Sequence, residues 1–235
     1  SVAEKYLGRS SMNMVNVNII AEGDTEEQFI KTVLGPYLSE RSVFVYPRLL
    51  NGHVSYQRVR KDVLNALKAN SSWPCTTFFD YYGMMKAGFS LPTNPDSATV
   101  ALKKQKLEEG FHQDICDAMG GSFNPSRFLP YVSMYEFESL LFSDPTALAR
   151  ALDLTELQCQ KLLAIRAQYE SPEEINDSRD TAPSKRIIAE KPAYEKSKPR
   201  LGLKAAQQVT LDKMLIECPL FAAWVGRLAA LPTIA

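Results

Sequence analysis

Two glutamates near the amino end, Glu22 and Glu26, lie in the segment NVNIIAEGDTEEQF (16–29), whose pattern brings them together. The segment opens as a short β-branched run, the signature of a strand. It stops at Glu22-Gly23, where glycine permits a sharp turn. Thr25 and Gln28 then match a capping box, and Phe29, Ile30, Val33 and Leu34 follow at helical spacing. Strand, tight turn and helix put Glu22 at the strand's carboxyl end and Glu26 in the first helical turn. In open α/β sheets ligands bind at that edge. Two carboxylates there call for neutralisation, and a hard divalent cation is the usual means. The plain alternative is an ordinary turn with two solvated acids.

The pattern recurs. Cys75–Phe79 is an apolar run ending at Asp80, and Asp80-Tyr-Tyr-Gly83 repeats strand, acid, glycine turn. Arg127–Met134 (RFLPYVSM) reads as another strand, with Glu136 and Glu138 just past its end. Acids closing three strands strengthen the case for a metal site in which Glu22, Glu26, Asp80 and Glu136 or Glu138 are the ligands. Glu136 and Glu138 point to opposite sides if extended, and stand about 200° apart if helical. One of the two therefore faces the metal, and Glu138 is the favoured ligand.

The intervening chain supplies the scaffold. Ser42–Leu50 (SVFVYPRLL) reads as a second strand, with Pro47 marking an edge or a bulge. Tyr56–Lys68 and Ser97–Met119 read as helices, and 83–95 as a long loop. The order β-α-β-α-β-α-β implies a mostly parallel sheet covered by helices. From Leu140 onward only short helical pieces remain, at 145–152, 155–168, 184–189, 203–217 and 219–231, punctuated by prolines. Residues 1–14 carry no period. The expected division is a flexible leader over 1–14, an α/β core over 15–143, and a helical extension over 144–235 packed on that core.

The 235 residues are 45% hydrophobic and 23% charged, an ordinary globular balance, and the formal net charge is zero. No global field advertises a polyanion, but local ones exist: six basic residues against one acid between Arg41 and Asn70, and eight against three between Arg179 and Lys204. Cys75, Cys116, Cys159 and Cys218 are widely spaced and, with His53 and His112, match no zinc pattern. They read as reduced thiols of a cytoplasmic protein. No apolar run is long enough to span a membrane, and no signal-peptide pattern is present.

EGDTE (22–26), GHVSY (52–56), FDYYG (79–83), EFESLLF (136–142) and IND…TAPSKRI (175–187) together resemble a bacterial family of unknown function grouped with Toprim-like proteins. That family is often encoded beside an ABC-type ATPase in operons associated with phage defence. The resemblance runs from about Val15 to near the end of the chain. It implies a Toprim-like (Rossmann-like) α/β fold, a mostly parallel sheet flanked by helices, similar to the Toprim domains of overcoming-lysogenization-defect nucleases. It implies Mg2+ or Mn2+ as cofactor. Glu22 matches the strand-one glutamate, Asp80 the first aspartate of a DxD pair, and Glu26 the second acid of the nuclease branch. Tyr82 stands where the second aspartate is expected. A phenol, with a pKa of about 10, is a poor magnesium ligand, so Glu136 or Glu138 is the acid available to replace it.

Around these carboxylates, His53 and Ser55 sit past the second strand at the same edge, where they are candidate phosphate contacts. Tyr82, with Tyr81, is a candidate for stacking on a base. Ser184, Lys185 and Arg186 follow Pro183 as a possible helix start. There Ser184 and Arg186 are candidate phosphate contacts, and Lys185 joins Glu22, Glu26 and Asp80 as a catalytic candidate that stabilises developing charge. The expected activity is metal-dependent cleavage of DNA or RNA by the effector of a two-component defence system, with the ABC-type ATPase as partner and no membrane. The competing expectation is a non-catalytic regulatory or nucleic-acid-binding subunit of that ATPase. The residues leave the oligomeric state open, a homo-oligomer included.

Overall fold

The computed structural model describes residues 14–50, 55–86, 99–176 and 181–232. Residues 1–13 of the expected leader, and His53, lie outside them. The chain forms a parallel sheet flanked by helices on both faces, with further helices at the carboxyl end, an α/β Rossmann-like arrangement. Strand β1 (Val15–Ala21) is central, between β2 (Val43–Leu49) and β3 (Cys75–Asp80). The sheet order is β2-β1-β3-β4, with β4 (Phe128–Leu129) and β5 (Val132–Ser133) both pairing with β3. Burial follows position. Every residue of β1 except Asn16 is buried, as befits a strand covered on both faces, whereas β2, the edge, carries Pro47 and alternates with exposed positions.

Side chains leave the sheet alternately. Phe78 joins Val17, Ile19, Phe29, Leu34 and Phe221 on one face, and Phe79 joins Ile20, Val63, Phe111 and Val132 on the other. The first face holds α1 (Asp24–Phe29), the π-helical turn Ile30–Leu34, α2 (Gly35–Ser39) and the carboxyl-terminal helices. The second holds α3 (Tyr56–Ala69) and α5 (Val100–Met119). The carboxyl-terminal helices share one core with the sheet. Trp224 stacks on Tyr131 with ring centroids 4.2 Å apart and donates from Nε1 to Thr76 Oγ1 at 2.9 Å.

Several elements differ from the sequence reading. The helix cap lies two residues earlier than expected: Gly23 is the N-cap and has no side chain to complete a capping box, so only the reach-back half forms, from Glu26 rather than Gln28, to the Gly23 N–H at 3.1 Å. After β3 the chain makes no glycine turn; it enters helix α4 (Tyr81–Lys86) directly. The last expected strand is broken in two at Pro130, which lacks an N–H for the ladder. Thr77 bridges the gap, its hydroxyl accepting from Tyr131 N and donating to Tyr131 O, both at 2.9 Å. Next to it, Val132 donates to Glu108 Oε1 at 2.9 Å and accepts from Lys104 Nζ at 2.8 Å, so two side chains of α5 satisfy the backbone of β5. Of the later helices, α6 (Pro145–Ala151), α7 (Glu156–Arg166), α8 (Pro183–Glu190) and α11 (Pro219–Ala229) fall where expected. The expected helix 203–217 is two, α9 (Lys198–Val209) and α10 (Leu211–Glu217), parted at Thr210 with φ 73°. No helix among the described residues is long and apolar enough to cross a membrane.

Candidate functional site

The sheet order reverses between β1 and β3. The chain leaves β1 for β2 on one side, then crosses back to β3 on the other. At such a switch point the two connections diverge and leave a crevice at the carboxyl ends of the strands. Glu22 follows the last residue of β1, and Asp80 is the last residue of β3.

Glu22 lies against α4. A Cβ built on Gly83 would meet Glu22 Oε2 at 2.4 Å and Cδ at 3.0 Å. The glycine of FDYYG therefore serves close approach of a carboxylate to a helix rather than a turn. Glu26 occupies the third position of α1, 8% exposed, with Oε2 accepting from Gly23 N. Burial, with the charges of Glu22 and Glu138 adding, pushes its carboxyl up to about 7. Asp80 Oδ1 accepts from Phe137 N at 2.7 Å. Burial first, then the charges of Glu26, Glu22, Glu138 and Glu136, hold its carboxyl well above the usual range.

Glu136 and Glu138 come from the segment after β5. Glu136 caps the 3-10 turn Phe137–Ser143, and its Oε2 accepts from Ser184 N at 2.8 Å. Ser184 is buried in the first turn of α8, so the helix start does bind an anion, and that anion is Glu136. Glu138 is 3% exposed and accepts from Lys198 Nζ at 3.1 Å and from the Tyr194 hydroxyl at 3.4 Å. Burial raises its carboxyl, and Lys198 opposes that.

The remaining candidates fall into place around this edge. Lys185 pairs with Glu195 at 3.7 Å and is half exposed. Arg186 donates to Thr181 O at 2.7 Å and to the Tyr169 hydroxyl at 3.0 Å. Ser55 caps α3, accepting from Arg58 N. Tyr82 packs against Tyr81 and Tyr135, with centroids 5.9 and 5.8 Å away. Among the described residues, Lys198, at the start of α9, is a cation bonded to one of these acids, Glu138. Sequence reading passed over it as one of several basic residues. Its one local signal is Pro199, a residue favoured in a helix's first turn. Tyr194 and Gly202 were also missed. A Cβ on Gly202 would come within 3.1 Å of the Tyr194 hydroxyl and 3.4 Å of Thr25, so this glycine lets α9 close down on α1 beside the acids.

The donor chemistry suits a hard divalent cation: carboxylate oxygens, with neither sulfur nor imidazole bonded to them among the described residues. In geometry, no group of three or more His, Cys, Asp or Glu side chains among the described residues is arranged to hold a metal ion. Backbone N–H groups already occupy one oxygen each of Glu26, Asp80 and Glu136. Two roomy grooves, of about 630 and 920 Å³, lie elsewhere, one bordered by Lys104, Glu108 and Trp224 and the other by His112, Arg127 and Pro232. We place the site at the acids because buried, mutually repelling carboxylates require a chemical reason, whereas a groove needs only loose packing.

The chain belongs to the family described as a domain of unknown function (DUF4276), whose model matches residues 21–229. No curated protein and no solved structure matched the chain.

Proposed function

We propose that the chain is a divalent-metal-dependent phosphodiesterase that cleaves DNA or RNA at the switch-point edge, with a Toprim-like arrangement of acids. One observation carries this reading. Glu22, Glu26, Asp80, Glu136 and Glu138 converge at the carboxyl edge of the sheet, and their charges raise the carboxyls of Glu26 and Asp80. Such repulsion is relieved by protons or by a cation, and above neutral pH, where Glu26 gives up its proton, a divalent ion is the effective counter-charge.

Glu22, Glu26 and Asp80 are the residues that would hold Mg2+ or Mn2+, their side chains turning from the arrangement seen here toward a common point, and the bound ion would activate water and stabilise a leaving oxygen. The protein's own part is orientation. Gly23 N fixes Glu26, Phe137 N fixes Asp80, and Gly83 leaves room for Glu22. Lys198 presents an ammonium, 36% exposed, to Glu138, where a substrate phosphate would also be drawn. Lys185 and Arg186 act, in this reading, as outer basic surface along the path of the strand.

The test is cleavage of labelled DNA and RNA in Mg2+ or Mn2+ by the wild type and by Glu22→Gln and Asp80→Asn, with any ABC-type ATPase encoded beside the chain's gene added in parallel. Loss of cleavage in both variants, with the fold kept, supports the reading; full activity in both defeats it. The ATPase partnership and the defence role follow from the family resemblance alone. A second reading, a non-catalytic regulatory or nucleic-acid-binding subunit, is favoured by Tyr82 at the second aspartate position and by Lys198 neutralising Glu138. It predicts nucleic-acid binding with no turnover under any metal.

A further inference from the structure

Beside the acids lies a group of aromatic side chains that metal chemistry does not need. Tyr81 and Tyr82 open α4, directly after Asp80, and Tyr135 directly precedes Glu136. Their ring centroids are 5.8 to 5.9 Å apart in all three pairings. Tyr81 and Tyr82 are half-buried, and Tyr135 is buried.

Tyr135 is held at a conformational expense. Its φ is 64°, and Glu136 N donates to Met134 O at 3.0 Å across it, a three-residue turn of the strained kind. A bulky side chain rarely adopts this backbone, and such strain gathers at binding sites. The turn aligns Tyr135 with Tyr82, whose N–H points to Tyr135 O at 3.4 Å. Asn176, from the IND segment, lies beside the Tyr135 hydroxyl. Its Oδ1 is buried and finds no hydrogen-bond partner among the described residues. A buried amide oxygen of that kind is an acceptor awaiting a donor.

We propose that Tyr81, Tyr82, Tyr135 and Asn176 form a nucleotide subsite, and that the substrate is single-stranded nucleic acid. The inference rests on the phosphodiesterase reading for why a nucleotide comes to this edge. Aromatic rings take up a base only when it is unstacked and unpaired, which a single strand offers and a duplex does not. Asn176 Oδ1 receives an N–H of the base or the 2′-hydroxyl of a ribose. Attachment of Tyr81 to Asp80 and of Tyr135 to Glu136 puts the stacked base next to the phosphate at the acids.

The experiment is fluorescence anisotropy of one labelled sequence as single-stranded DNA, single-stranded RNA and duplex DNA, in EDTA, with wild type and with Tyr81→Leu, Tyr82→Leu and Asn176→Ala. Both single strands should bind more tightly than the duplex. Each Tyr→Leu change should weaken single-strand binding about tenfold, the order of one lost base stack. An Asn176→Ala loss confined to RNA identifies the 2′-hydroxyl as the donor, and a loss shared by DNA identifies the base. A second measurement needs no variant: photo-crosslinking of an iodouracil-bearing strand to the wild type should place the adduct on Tyr81, Tyr82 or Tyr135. Equal binding of strand and duplex, or adducts only elsewhere, overturns the subsite. Without divalent metal the assay is blind to cleavage. Single-strand preference without any cleavage in Mg2+ would leave the subsite standing and defeat the phosphodiesterase reading; cleavage abolished by Asp80→Asn without single-strand preference would do the reverse.

Discussion

Glu26 carries two duties, completing the cap of α1 through Gly23 N and lying buried within reach of the charges of Glu22 and Glu138. Its folded-state carboxyl, at about 7, lies above the ordinary value of 4.5. A raised carboxyl pKa means that the folded state binds the proton more tightly than the unfolded chain. Stability therefore falls as pH rises from about 4.5 to about 7, and the loss is complete above that. Glu26→Gln keeps an oxygen for Gly23 N and removes the charge. In EDTA it should melt above wild type at pH 8, by on the order of 2 to 3 kcal/mol, and close to wild type near pH 4.5. A thermal melt series across this range checks the sign, and a variant less stable than wild type at pH 8 would refute it. Gly83→Ala tests the neighbouring carboxylate. The added methyl meets the movable end of Glu22 rather than backbone. Stability should drop by less than about 1 kcal/mol, while divalent-ion affinity and cleavage fall together because Glu22 is displaced.

The strands are where sequence and structure agree best. A β-branched run before Glu22 marked β1, an apolar run ending at Asp80 marked β3, and Pro47 marked β2 as an edge. What was illegible depended on distant partners. The break at Pro130 is held by Thr77, and the backbone of β5 by Lys104 and Glu108, none of which local pattern announces. Lys198 was hidden for the same reason, since a lysine among lysines is distinguished only by the Glu138 it meets. The junction of α9 and α10 was missed because Thr210, at φ 73° and ψ 148°, adopts a conformation that belongs to glycine. Thr210→Gly should therefore raise stability by about 1 kcal/mol despite losing a long hydroxyl cap to Lys213 N, as a chemical-denaturation midpoint would show. At the far helix, Glu173 accepts from Leu220 N at 2.8 Å and Phe221 N at 2.9 Å, capping α11. Glu173→Ala should cost about 1 to 2 kcal/mol in the same measurement.

At the scale of the molecule, the helical extension completes both the core and the site. Phe221 and Trp224 pack on Phe78 and Tyr131, and Ser184, Tyr194 and Lys198 reach the acids from the same extension. A chain ending at residue 143 would expose this apolar face and should show no cooperative melting transition. The acids meet only because the sheet order reverses between β1 and β3, so the site is a property of topology that spacing alone suggested and pairing supplies. The central claim is that this edge holds a divalent cation. Calorimetric titration of Mn2+ at pH 8 tests it directly, using wild type, Glu22→Gln and Asp80→Asn. The account predicts saturable binding by the wild type and its loss in both variants, each still folded. Equal binding by all three proteins, or none by the wild type, would contradict it.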